Sequence, residues 1–141
     1  MSLYLVVAWL HLVLGVAVTG MALWWAIMGR ALSLAHPADE AQRLLALAGS
    51  ARWPHVGLPH EARLPLGLVG ILILFLYVLT GMAQTILAGA TSTPGSMVKA
   101  VLVIGLLIVF RFLSRRPTPA LGYIALVLAL ALIADTALMQ V

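Results

Sequence analysis

Four long apolar runs dominate the chain, at about residues 3–28, 65–89, 96–113 and 120–139. Each is close to or beyond the roughly 20 residues that a helix needs to cross a bilayer. Within the first run, Tyr4, Ala8, His11, Gly15, Val18, Ala22 and Trp25 recur by fours and threes. That spacing puts them on one helical face, and their small size predicts that this face meets other helices. In the second run Gly67, Gly70, Leu74, Tyr77, Gly81, Gln84 and Ala88 repeat the pattern. Ala125, Ala129 and Ala134 keep the fourth run slim enough for close packing. Tyr4 and the pair Trp24-Trp25 lie toward the ends of the first run, where interfacial aromatics sit. That run carries no basic start, is long for a leader, and has no small-x-small site after it, so it reads as a retained span.

The polar stretches between the runs define the rest of the architecture. Residues 29–64 form one long connection. Inside it Pro37, Asp39 and Glu40 have the chemistry of a helix start, and Gly49 can end that helix. The expectation is a short amphipathic helix over about residues 37–48, lying on the membrane surface or packed on the end of the spans. Trp53, Pro54, Gly57, Pro59 and His60 argue against regular structure over residues 50–64. Thr91-Ser92-Thr93-Pro94-Gly95 reads as a tight turn, and Ser114-Arg115-Arg116-Pro117-Thr118-Pro119 as a polar one. The fold expected is therefore all-α. It is a single-domain antiparallel bundle of four transmembrane helices, with a short amphipathic cytoplasmic helix between the first and second.

Composition narrows the class. The chain has 141 residues, of which 64% are hydrophobic and only 9% charged, with a mean hydropathy of +1.15. Soluble domains carry about 25% charged residues, so this is a membrane protein. The formal charge of +4 arises from 8 Lys and Arg against 4 Asp and Glu, too sparse for a nucleic-acid surface. There is no cysteine, which removes disulfides and thiolate metal sites. The basic residues carry the topology instead. Arg30, Arg43, Arg52 and Arg63 fall in the first connection, and Arg115 and Arg116 in the last. The positive-inside rule places both connections in the cytoplasm and both termini outside, in a prokaryotic plasma membrane.

Few residues offer chemistry. Lys99 and Asp135 each lie eighteen residues from Pro117, on either side. At a rise of about 1.5 Å per residue they reach the same depth, so a structural ion pair is expected; a proton or ion path is the alternative. His11, Thr80, Met82 and Gln84 fall in the same outer half. His11 either hydrogen-bonds Gln84, Thr80 or a backbone carbonyl, or serves as an axial haem or copper ligand with Met82 beside it. His36, His55 and His60 lie at the cytoplasmic end, so a bis-histidine haem within the chain fails on distance. The His55 and His60 spacing with Pro59 between reads as a solvated loop. No phosphate loop, nucleophile elbow, zinc helix or dinucleotide fingerprint is present.

The stretch Trp9-Leu10-His11-Leu12-Val13-Leu14-Gly15 resembles the start of four-helix modules in the CopD copper-resistance and HemJ haem-biosynthesis group. Leu79-Thr80-Gly81 and Val98-Lys99-Ala100 are similar to that group as well. The resemblance implies that His11 matches the group's first-helix histidine and Lys99 its third-helix lysine. For a HemJ-like enzyme it implies haem-linked protoporphyrinogen oxidation. The chain lacks the Tyr-His end of the first helix and the Asn-Glu before the last that mark HemJ, and it does not carry the additional helices usual in CopD-like proteins. Those departures lead to a non-catalytic accessory or assembly subunit of a larger membrane complex, such as a respiratory oxidoreductase. That subunit has the bilayer and a larger membrane protein as partners, and no cofactor bound by this chain alone. Copper or haem handling through His11 and Met82, and a small haem-dependent oxidoreductase, are the alternatives.

Overall fold

A computed structural model of the chain describes residues 2–52, 63–89 and 94–138. Five helices account for nearly all of it: α1 (Leu3–Ala35), α2 (Ala38–Ala48), α3 (Leu66–Leu87), α4 (Pro94–Arg115) and α5 (Pro119–Leu138). Three of them, α1, α3 and α4, are long and apolar enough to cross a membrane, and α5 is a shorter apolar helix by the same measure. Val16, Val101 and Val127 are each about two-thirds exposed, so the outward faces are as apolar as the inward ones. An apolar exterior of this kind suits lipid rather than water.

The helix ends follow from their sequences. Ser2 caps α1, its hydroxyl accepting from the Leu5 amide at 3.4 Å. The helix was expected to stop at Gly29-Arg30, but it continues to Ala35. Residues 30–35 are adequate helix formers, and only Pro37 bars further turns. At 33 residues α1 is about 50 Å long, well beyond a hydrocarbon core of about 30 Å. Pro94 and Pro119 each take the first position of a helix, where a missing N–H costs nothing. Pro37 instead precedes α2 as its cap residue. Gly89, at φ 64°, lies just past the end of α3 in a conformation that glycine adopts readily.

Residues 50–64 are not wholly irregular. Two three-residue strands, β1 (Ser50–Arg52) and β2 (Arg63–Pro65), pair antiparallel with Ser50 opposite Pro65. They clamp the two ends of the connection beside α3. His55 and His60, with Trp53, Pro54, Gly57 and Pro59, lie outside the described residues. So do Thr91, Ser92 and Thr93 of the expected turn, and Met139 at the end of the last run.

α1 packs against α3 and α5, and α4 packs against the same two helices from the other side. Small residues set the spacing. A Cβ on Gly122 of α5 would lie 2.8 Å from the Trp25 carbonyl carbon, and one on Gly67 of α3 would lie 2.8 Å from the Phe110 carbonyl oxygen. The predicted stripes of α1 and α3 face inward over most of their length, with Val18, Ala22, Trp25, Gly67, Gly70 and Leu74 buried, but Tyr4 and Ala88 at their far ends are exposed. Ala125 and Ala129 are buried too, but Ala134 is exposed and Leu132 fills the inward position. Trp25 does not belong to an interfacial belt. It is 2% exposed, because Gly49 at the end of α2 leaves room for the indole while Gly122 lets α5 approach the Trp25 backbone. α2 is tied to this end through buried Ala41 and Leu45. The tight core therefore sits at the α2 end. Toward the opposite end the helices pack less closely, and a cavity opens.

Candidate functional site

That cavity lies between α3 and α4, has a volume of about 560 Å³, and reaches His11 of α1 and Leu132 of α5. It collects residues singled out from the sequence: His11, Met82, Gln84 and Lys99 all line it, and Thr80 stands behind His11. The volume is within the range of about 300–1,000 Å³ usual for small-molecule and cofactor sites.

His11 is held on three sides. Its Nδ1 is 3.0 Å from the Tyr77 carbonyl oxygen and 3.0 Å from the Thr80 hydroxyl. A carbonyl only accepts, so Nδ1 carries the proton and donates. The Thr80 hydroxyl gives its own proton to the carbonyl of Tyr77 or Leu76, at 2.9 and 3.0 Å, which leaves its oxygen to accept from His11. The imidazole stacks on the Tyr77 ring at 4.1 Å with an interplanar angle of 19°. Gly81 makes the fit possible, since a Cβ there would lie 3.0 Å from His11 Cε1. The result is a fixed tautomer. Nε2 keeps its lone pair, and no hydrogen-bond partner for it exists among the described residues.

The polar groups around the cavity differ in exposure. Lys99 is half-buried in its wall. Met82 is 59% exposed, which puts it at the rim rather than opposite the imidazole. Gln84 lines the wall but does not bond His11, whose partners are Thr80 and the Tyr77 backbone.

Asp135 is outside this lining. A Cβ on Gly105 would touch Leu128 at 3.3 Å, which fixes the register of α4 on α5. Lys99 is six residues before Gly105 and Asp135 seven after Leu128, so the two do lie at one level, within about 2 Å along the axis. They nevertheless do not form the expected ion pair. Among the described residues the ion pair present is His36 with Glu40, at 3.6 Å. Asp135 Oδ2 is buried without a hydrogen-bond partner. Matched depth is a property of rise per residue, whereas side-chain contact also requires matched azimuth, and Lys99 lines the α3–α4 cavity.

Tyr77 and Gly81 were placed on the inward face by spacing alone, and their roles as stacking partner and clearance for His11 needed the register of α1 on α3. The α4 wall, including Ala100, Val103 and Leu107, carries no polar signal and was not distinguished.

The residues can be tested against the two metal chemistries expected. A histidine ligand characteristically donates its other ring N–H to a carbonyl or similar acceptor, which fixes its orientation. His11 does this, and its free Nε2 belongs to a residue lining an apolar chamber that also bears a cation suited to a carboxylate. That set fits haem. It fits copper less well, because Lys99 is a cation in the same wall and Met82 is at the rim. No group of three His, Cys, Asp or Glu residues gathers among the described residues. No family model, curated protein or solved structure matches the chain.

Proposed function

We propose that the chain is a four-span integral membrane protein that handles haem, held in the cavity between α3 and α4. The observation that carries this reading is the His11 imidazole, with Nδ1–H anchored to Tyr77 and Thr80 and Nε2 unpartnered. His11, through Nε2, and Lys99, through its ammonium toward a carboxylate, would hold the haem. Bound haem would supply one-electron chemistry; the residues named here bind, orient and shield it. The likeness to the CopD and HemJ group is in keeping with this role, as is the apolar surface of all four long helices. α5, at 20 residues, is long enough to serve as the fourth span.

The test is optical. Titrating the purified, detergent-solubilised protein with haem is expected to shift and sharpen the Soret band at one equivalent, and His11→Ala is expected to abolish the shift. A wild-type protein that leaves the haem spectrum unchanged would end this reading.

A second reading is the accessory subunit of a larger membrane complex such as a respiratory oxidoreductase. What favours it is the side opening of the cavity, where Phe75, Met82 and Ile104 are exposed and a partner helix could close the wall. Blue native electrophoresis of gently solubilised membranes separates the cases. Migration at the size of this 15.0 kDa chain alone counts against a partner.

A further inference from the structure

A second cavity, of about 820 Å³, lies at the other end of the molecule, between α2 and the turn joining α4 to α5. One wall is α2, with Asp39, Glu40 and Arg43; the other is Arg115, Arg116 and Pro117. Opposite charges thus line one cleft, yet they do not pair across it. Among the described residues, no carboxylate is within ion-pair distance of Arg43, Arg115 or Arg116, and Glu40 is engaged only with His36 on its own side. Flexible, exposed side chains of opposite sign that share a cleft without meeting leave space for an occupant carrying both charges. Arg115 ends, and Arg116 directly follows, an apolar helix long enough to cross a membrane, a position that in a spanning orientation falls at headgroup level.

We propose that this cleft binds the headgroup of an aminophospholipid. The phosphodiester lies on the guanidinium groups of Arg115 and Arg116, with Arg43 completing the anion side. The primary ammonium lies on Asp39 and Glu40. Guanidinium forks match phosphate oxygens bidentately, and a primary ammonium can donate to carboxylates where a trimethylated one cannot. A purely anionic headgroup would leave the two carboxylates facing an anion. This site is separate from the His11 cavity and does not rest on the haem reading.

Native mass spectrometry of the full chain, released from mixed micelles holding equal phosphatidylethanolamine, phosphatidylglycerol and phosphatidylcholine, reads the preference directly. Phosphatidylethanolamine is expected to be retained above both others. The double variant Arg115→Gln with Arg116→Gln is expected to lose it about tenfold, as removal of charge-assisted bonds predicts. Asp39→Asn with Glu40→Gln is expected to erase its advantage over phosphatidylglycerol while a phospholipid is still retained. All four positions are exposed, and unchanged circular dichroism checks that each variant is folded. Retention of phosphatidylcholine or phosphatidylglycerol equal to or above phosphatidylethanolamine would overturn the proposal. So would undiminished retention by the arginine variant. Displacement of the lipid by an equal concentration of soluble glycerophosphoethanolamine would overturn the assignment to a lipid.

Discussion

At the scale of single residues, most of the chemistry rests on how one imidazole is held. Thr80 contributes a hydroxyl that accepts from His11 Nδ1, and the Tyr77 carbonyl accepts from the same proton. Thr80→Val keeps the shape and removes that acceptor while leaving the carbonyl. Loss of an outer-shell partner of this kind costs about 10–100-fold in affinity, so haem titration of this variant is expected to show weakening of that order with full occupancy still reachable. Gly81→Ala acts through space instead. Its Cβ would press on His11 Cε1 at 3.0 Å, so the ring must shift from its stack on Tyr77. The expected outcome is a lower affinity and an altered Soret maximum, against an unchanged helical circular dichroism spectrum. Thr80 and a backbone carbonyl were both foreseeable as His11 partners, because helical rise put Thr80 at the depth of His11. Lys99 and Asp135 show where such reasoning ends, since depth could be counted along the chain and azimuth could not.

At the scale of elements, close helix approach decides stability. Glycine to alanine in a helix gains about 1 kcal/mol from propensity, while overpacking costs about 1–3 kcal/mol. At Gly122 the added Cβ meets Trp25 backbone at 2.8 Å, and backbone cannot rotate aside, so the cost wins. At Gly20 the Cβ meets nothing within 4 Å, so the propensity gain stands alone. Unfolding by titration with sodium dodecyl sulfate in mixed micelles is expected to show Gly122→Ala destabilised and Gly20→Ala unchanged or slightly stabilised. Equal behaviour of the two would refute the α1–α5 packing. The α2 helix is anchored by Leu45, 1% exposed in the shared core. Leu45→Ala is expected to cost about 2–5 kcal/mol if α2 is part of the cooperative unit. A loss near zero would mean that α2 melts separately.

At the scale of the whole molecule, the arrangement has a tight end and a loose one. Trp25, Leu113 and Leu45 fill the end beside α2, and the cavity with His11 opens toward the other. The positive-inside rule predicts that the tight, arginine-rich end lies in the cytoplasm. With no native cysteine, single substitutions report it cleanly. Ser2→Cys and Ala88→Cys are expected to react with an impermeant thiol reagent in intact cells, and Ser33→Cys only after permeabilisation. Reaction at residue 2 without residue 88, or the reverse, would mean that an odd number of spans separates them.

The sequence by itself determined the helices, their inward stripes and the clustering of arginines, because each depends on local periodicity and composition. Small residues at intervals of three and four mark a packing face whatever the neighbour is. It also placed His11, Thr80, Gln84 and Lys99 near one level, because helical rise converts residue counts into depth. The tertiary structure alone decided how the helices are rotated against one another. That rotation buried Trp25, left Asp135 without Lys99, stacked His11 on Tyr77 and opened the charged cleft beside α2. Azimuth follows from how whole side-chain surfaces interlock across two helices, and no local pattern along one chain encodes that sum.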